Sequence, residues 1–395
     1  MLAGILQAGE YFGGVLRDKA VAIFENVDWK RFYKKSTNRY SHGYRPGAGL
    51  LASAWDRPGD ETLLVRILSL AQDPADPERL NACFGYPRVT GTHRGIPVVR
   101  SFFGSLFTYT FAHFWIPFEC LGEDRPVDAG FPSVPAVDWW ENSRLAVAAN
   151  RRYHLDQFAR YPSLGEASWG ASACFRADAT GYFGPNGAAP AEAEPAFDCT
   201  VPPHGAIMSL FLAPTAPDEE FVANPAFRAL EHYYRSRFAE LWTSYGPRSS
   251  FDASGNVSPM VVGIEKGPEA LGIEAYRTGR TVRDLLSNGS GMQTLTGVFE
   301  SGECESSALF VRGRVNGDQA TDLSDAAFLL EFLFLGGARP ACEDAADAND
   351  DGQLDTSDAV WTLGFLFLGT APPHAPFPEP GLEPTPDLLA PCLGS

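Results

Sequence analysis

The chain has 395 residues, 45% of them hydrophobic and 20% charged, and carries a formal net charge of −18. That balance suits two or three domains with a sizeable buried core. No run approaches the ~18 consecutive apolar residues of a membrane span, and no basic stripe is present to neutralise phosphates, so neither a membrane span nor a nucleic-acid partner is expected.

The charge is unevenly spread. From Ser301 onward sixteen acidic side chains face three basic ones, which puts −13 of the total in the last 95 residues. Acids spaced at regular intervals suit metal ligands as well as a solvated face. The seven cysteines (83, 120, 174, 199, 304, 342 and 392) form no CxxC pair, so a zinc ribbon is not expected, and an odd count leaves at least one thiol unpaired.

The first predicted element, Leu2–Phe12, is apolar but lacks a basic lead-in and is broken by Gln7 and Glu10. It reads as a helix starting at the initiator methionine, and neither as a signal peptide nor as an anchor. Val15, Leu16, Ala20, Ile23, Phe24 and Val27 follow at helical spacing, and Phe227, Leu230, Tyr234, Phe238 and Leu241 repeat the pattern later. Between them, helices are predicted over Glu61–Ala71, Asn142–Tyr161 and Gly205–Leu212, and another over Pro268–Leu286. Strand-like alternation is scarce, so the first 290 residues read as a mainly α domain. Its long loops carry Trp139–Trp140, Trp169–Gly170 and Gly181–Tyr182–Phe183. Long loops in a compact domain tend to carry function.

From 291 to 309 the pattern dissolves into Ser, Gly and Glu, which marks a linker. A repeat fills 310–395. Asp322-Leu-Ser-Asp-Ala and Phe332-Leu-Phe-Leu-Gly recur 33 residues later as Asp355-Thr-Ser-Asp-Ala and Phe365-Leu-Phe-Leu-Gly. A Pro-rich tail follows and closes at Cys392.

The second repeat sets oxygen side chains at loop positions 1, 3, 5, 9 and 12 (Asp347, Asn349, Asp351, Asp355 and Asp358), with Gly352 at position 6. Calcium takes six to eight hard oxygen ligands, and the glycine permits the sharp turn that gathers them. In the first repeat Asn316, Asp318, Asp322 and Asp325 keep the pattern. Arg314 at position 1 and Gln319 at position 6 spoil it, so calcium should bind there poorly or not at all. The helices Ala326–Leu335 and Ala359–Leu368 are expected to pair through Leu329, Phe332, Leu333, Leu363, Leu366 and Phe367.

This duplicated loop-and-helix unit resembles a type I dockerin. The resemblance implies an extracytoplasmic protein, extracellular or periplasmic, that docks to a cohesin-like scaffold. It also implies a Cys342–Cys392 disulfide.

Several segments of the large domain are similar to the glucoamylase-like glycoside hydrolases, a family that includes enzymes acting on β-1,2-glucans. They are Leu106–Ile116 around His113 and Trp115, Glu141–Arg144, Trp169–Gly170, Gly181–Tyr182, Asp198–Pro203, Leu241–Gly246, and Gly263–Pro268 leading to Glu274–Gly279. The resemblance implies an (α/α)6 toroid or barrel, here incomplete, because the family's pattern begins upstream of Met1. Part of the expected catalytic set would lie there, along with a lost signal peptide.

Glycoside hydrolysis usually needs one protonated and one ionised carboxyl group. The resemblance nominates Glu265 as catalytic, where the family usually has aspartate. It nominates Glu61, His113, Trp115, Trp169, Tyr182 and Asp198 as ligands for a polysaccharide or oligosaccharide. Each of these acids reads equally as a helix cap or ion-pair partner, and each aromatic divides between core and cleft. A non-catalytic glycan-binding or assembly protein is the alternative. No HExxH, G-x-S-x-G, P-loop or GxGxxG motif is present.

Overall fold

The structure is a computed structural model that describes residues 1–102, 104–157, 167–178, 180–184, 200–212, 224–236, 238–278, 310–318 and 320–381, with 283, 299, 389 and 392. It divides into two compact units. One comprises Met1–Ala275 and Val282–Glu303, the other Tyr276–Thr281 and Cys304–Ser395. Helix predominates in both.

The large unit opens with α1 (Leu2–Phe12) and α2 (Gly14–Glu25), which fold back on each other at Gly13 and Gly14, both at positive φ. The helices meet at Gly9, where an added Cβ would stand 2.6 Å from the Ala20 side chain. Ala3, Leu6 and Phe24 face the core, and Tyr11, Phe12, Val15 and Leu16 face solvent.

Two short hairpins follow, β1 (Tyr33–Lys34) with β2 (Arg39–Tyr40) and β3 (Tyr44–Arg45) with β4 (Gly49–Leu50). Helix α3 (Asp60–Gln72) buries Leu63, Leu64, Ile67, Leu68 and Leu70. Helix α4 (Pro77–Phe84) has a strong start signal that periodicity alone did not reveal. Asp76 caps it by accepting from the Glu78 and Arg79 amides at 2.9 and 3.2 Å, with Pro77 at the first position.

The chain continues through the hairpin β5 (Thr90–His93) and β6 (Ile96–Val99), then α5 (Leu106–Thr110) and α6 (Trp139–Asp156), capped by Asp138. The α6 entrance is fixed by a buried network. Arg88 grips Asp124 through two bonds of 2.8 and 2.7 Å, and the Trp139 indole and Val137 amide donate to the same carboxylate. Next come the hairpin β7 (Cys174–Phe175) and β8 (Tyr182–Phe183), then α7 (Pro203–Ile207), α8 (Pro225–Ser236) and α9 (Phe238–Leu241). The hairpin β9 (Trp242–Thr243) and β10 (Gly246–Pro247) leads to α10 (Gly263–Thr278).

Four predicted helices shift. Gly205–Leu212 contracts to α7, ending at Ile207, and Pro268–Leu286 becomes α10, starting at Gly263. Pro268 sits inside α10, past its first turn, where its missing N–H removes one main-chain hydrogen bond from the helix. Helix α6 starts three residues earlier than predicted, and 158–161 lie outside the described residues. The Phe227–Leu241 pattern is covered by α8 and α9, and residue 237 between them lies outside the described residues.

The small unit contains α11 (Leu323–Leu335), α12 (Glu343–Ala346) and α13 (Thr356–Leu363), the last continuing through a π-turn over Gly364–Leu368. Both long helices begin with a capping box, Asp322 with Asp325 and Asp355 with Asp358. Val315, Ala326, Leu329, Ala346 and Ala359 form the core, with Phe332, Leu333 and Leu363 packed on it. Phe367 does not join them as the sequence pattern suggested. It is 65% exposed, within the π-turn that shifts the helical register.

Cys342 and Cys392 are joined by a disulfide. Cys120 is also disulfide-bonded, and Cys83 and Cys174 are buried thiols outside any disulfide. Arg312, fully buried, ties the small unit together. It donates to the main-chain oxygens of Ala375, Asp344 and Asp347 and pairs with Asp350 at 3.0 Å. No helix among the described residues is long and apolar enough to cross a membrane.

Candidate functional site

Three separate stretches of the large unit converge on Glu265, which opens α10 and is 1% exposed. The Ser249 hydroxyl donates to Glu265 Oε1 at 2.6 Å, and the same oxygen of Ser249 accepts from the Phe175 amide at 2.8 Å. Ser250 donates back to the Phe175 carbonyl. The β7–β8 hairpin is therefore pinned over the serine pair from both sides. Its exposed Tyr182 donates its hydroxyl to the Ala173 carbonyl at 3.1 Å.

His204 of α7 completes the group. Its Nδ1 lies 4.0 Å from Glu265 Oε2, and neither atom has another hydrogen-bond partner. Burial, helped by Lys266, pushes the imidazole down to about 3, so it is neutral, and it bonds the Ala173 main chain. Burial also raises the Glu265 carboxyl to about 7, against the opposing pull of Ser249 and Lys266. One turn on, Glu269 is likewise raised to about 7 by burial while Lys266 bonds it at 2.5 Å. The site thus holds two carboxyl groups poised near neutrality beside an uncharged imidazole. Such tuning is the hallmark of acid–base chemistry.

Glycine packing holds α7 in place. Gly170, at φ +115, and Gly205 are pressed backbone to backbone, so that a Cβ on Gly205 would stand 2.5 Å from the Gly170 carbonyl oxygen.

Among the described residues, Tyr182 alone of the other nominated ligands comes near this cluster, through its bond to Ala173. Trp169 is fully buried, its indole donating to the Pro225 carbonyl at 3.3 Å, so its ring fills core between α7 and α8. His113 is also a core residue. It bonds Ser143 Oγ at 2.8 Å and borders a cavity of about 10 Å³, room for no more than a water. Burial drives it down to about 3. Trp115 is half-buried between two hydrophobic clusters, and its indole N–H has no partner. Glu61 stands half-buried in the first turn of α3. Asp198 lies outside the described residues. Ser249 and His204, missed as participants, carry no motif of their own.

In the small unit the two loops match bond for bond. Asn316 donates to Asp318 and Ser324 in the first, and Asn349 donates to Asp351 and Ser357 in the second. Asp325 and Asp358 are both buried and accept backbone amides from their own loops. Gly352 takes φ +74, as its position demands, and position 4 is left-handed in both loops, Gly317 in one and Asp350 in the other.

The loops differ at position 1. Asp347 accepts from the Asp351 and Gly352 amides and lies against Asp358, whose carboxyl is raised to about 7 by burial and by that neighbour. Two buried carboxylates facing each other are groups that could share a hard cation, whereas Arg314 stands at position 1 of the first loop. Asn349, Asp351 and Asp355 complete the oxygen set in sequence, although among the described residues no group of three or more Asp, Glu, His or Cys side chains is drawn together as a metal cluster.

The large unit is thus a mainly helical domain that carries a buried acid–imidazole cluster. Residues 54–288 match the family described as Glycoamylase, a glucoamylase family, and the chain belongs to it. A stretch of 143 residues is 31% identical to the exo β-1,2-glucooligosaccharide sophorohydrolase (non-reducing end) of Parabacteroides distasonis, covering 36% of this chain and 18% of that enzyme.

The fold is similar to the endo-β-1,2-glucanase of Chitinophaga pinensis in complex with sophorotriose and glucose (TM-score 0.61, 21% identity, 76% of this chain and 69% of that one). It is equally similar to a β-1,2-glucanase from Parabacteroides distasonis (TM-score 0.61, 19% identity, 75% of this chain and 43% of that one). The chain thus spans less than a fifth of the length of the curated relative and less than half of the second structure.

Proposed function

We propose that the large unit is a glycoside hydrolase acting on a β-glucan, with β-1,2 linkages the first candidate, and that Glu265 supplies the proton to the leaving glycosidic oxygen. The observation carrying this reading is the Glu265 carboxyl, raised to about 7 and held by Ser249. A general acid works best with a carboxyl that keeps its proton near working pH and is held in place, and the raised, Ser249-bonded Glu265 supports that role. Because Glu265 is almost wholly covered, contact with a sugar requires the residues packed over it to move. The membership of the family and the named activities of the relatives support the substrate class.

The burial of Glu265, Trp169 and His113 favours a second reading, a glycan-binding protein without catalysis. Release of reducing ends from β-1,2-glucan, measured beside Glu265→Gln, separates the two. Binding without release supports the second.

The small unit is read as a dockerin-like module. Calcium would be held by Asp347, Asn349, Asp351, Asp355 and Asp358, and the ion would offset the mutual repulsion of the buried Asp347–Asp358 pair. The first loop (Asn316, Asp318, Asp322, Asp325) keeps its shape through its own hydrogen bonds. The module would attach the enzyme to a cohesin-like scaffold outside the cytoplasm. Pull-down by an immobilised cohesin, with and without chelator, tests this. No retention in calcium removes the docking role.

A further inference from the structure

A second cavity in the large unit has a chemistry that neutral glucan does not call for. Its volume is about 210 Å³, and its lining comprises Arg39, Asp56, Arg57, Pro58, Pro87, Val89 and Arg100. Three guanidinium groups face one carboxylate among the described residues. Asp56 pairs with Arg57 at 3.9 Å, which leaves Arg39 and Arg100 as the two guanidinium groups that carry the site. The Nε–H groups of Arg39 and Arg100 are buried without any hydrogen-bond partner. A buried donor left unmade costs free energy, more so on a charged group.

The walls are stiff. Arg39 lies in the β1–β2 hairpin, and the Arg100 amide donates to the Val89 carbonyl at 2.8 Å, closing one side. Arg57 stands over the ring of Phe102, which is 38% exposed and held at φ +45. Left-handed backbone at a bulky residue is costly and is retained where surroundings enforce it.

We propose that this cavity is an oxyanion-binding site taking a carboxylate- or phosphate-bearing ligand no larger than one acidic sugar. Arg39 and Arg100 supply the forked donors that planar carboxylate and tetrahedral phosphate accept. Pro58, buried, and the exposed Pro87 and Val89 give the cavity an apolar flank beside the guanidinium groups. The site does not depend on the hydrolase reading, since Glu265 and its partners do not line it.

Calorimetric titration of the full chain tests the proposal, with inorganic phosphate, methyl β-glucuronide and methyl β-glucoside as probes. Saturable one-to-one binding of phosphate or of the glucuronide is expected, at least about tenfold tighter than the neutral glucoside and weakening with salt. Phosphate binding alone assigns a phosphate ester or free phosphate, and glucuronide binding alone assigns an acidic sugar. Arg39→Gln and Arg100→Gln should each weaken the bound probe about tenfold. Arg39→Lys and Arg100→Lys keep the charge but not the fork, and should fall between, which guards against loss by misfolding. Equal binding of both sugars, absence of saturable binding, or wild-type affinity in well-folded Gln variants overturns the site.

Discussion

Ser249 and Glu265, sixteen residues apart, are joined by a 2.6 Å hydrogen bond in which the hydroxyl donates to the carboxyl and accepts from the Phe175 amide. The serine therefore does two jobs: it draws the Glu265 pKa downward against burial, and it holds the Phe175 amide of the hairpin. Ser249→Ala should raise the Glu265 pKa further and cost about 1–3 kcal/mol, since a buried amide loses its acceptor. If Glu265 is the general acid, the alkaline limb of the activity–pH profile moves to higher pH in the variant. A limb that stays put while stability falls would show that the bond is structural only.

Stability should peak near neutral pH. His113, His154 and His204 have folded pKa values of about 3, 4 and 3, lowered first by burial, against 6.5 unfolded. Their contribution is complete above 6.5 and is lost as pH falls, because the unfolded chain takes up protons that the folded one refuses. Glu265 and Glu269, raised by burial to about 7 from 4.5, work in the opposite sense, and their contribution is lost as pH rises through 7. Melting temperatures should decline on both sides of neutrality, and His154→Gln should flatten the acidic side. An unchanged acidic slope in that variant contradicts the assignment.

How legible this was depended on the range of the interaction. Helix α3 and the capping boxes at Asp322 and Asp355 follow from local pattern, and so they were readable. The aromatic and histidine positions were not, because Trp169 and His113 are residue types that serve a core and a cleft alike. Only distance tells them apart, and the Trp169 indole finds its acceptor at Pro225, 56 residues away. Arg312 and the Arg88–Asp124 pair were invisible for the same reason: a buried guanidinium is placed by partners remote in sequence. Glu265 was picked out by resemblance, but the serine and imidazole that tune it come from other segments.

Calcium titration of the small unit's loops should give one dominant site. Asp347→Ala removes the position-1 carboxylate and should abolish most of the affinity, while Arg314→Asp should strengthen binding or add a second site. Calcium should also raise the melting temperature of the wild-type chain, because only the folded loop gathers the ligands. Heat of binding unchanged in Asp347→Ala excludes the second loop as the site.

The Gly170–Gly205 contact predicts an unusual intolerance to the smallest possible side chain. Gly205→Ala would drive a methyl to within 2.5 Å of the Gly170 carbonyl oxygen, and Gly170→Ala would add backbone strain at φ +115. Each should cost about 3 kcal/mol or more. Denaturant midpoints within error of wild type for either variant would mean that α7 can shift freely, and the placement of His204 would lose its footing.

The central claim is that Glu265 is the acid of a β-glucan hydrolase, and reducing-end release from β-1,2-glucan by the calcium-loaded chain tests it most directly. The account predicts measurable release by the wild type and a loss of about 10²- to 10⁴-fold in Glu265→Gln. No release by the wild type, or full activity in Glu265→Gln, would contradict it.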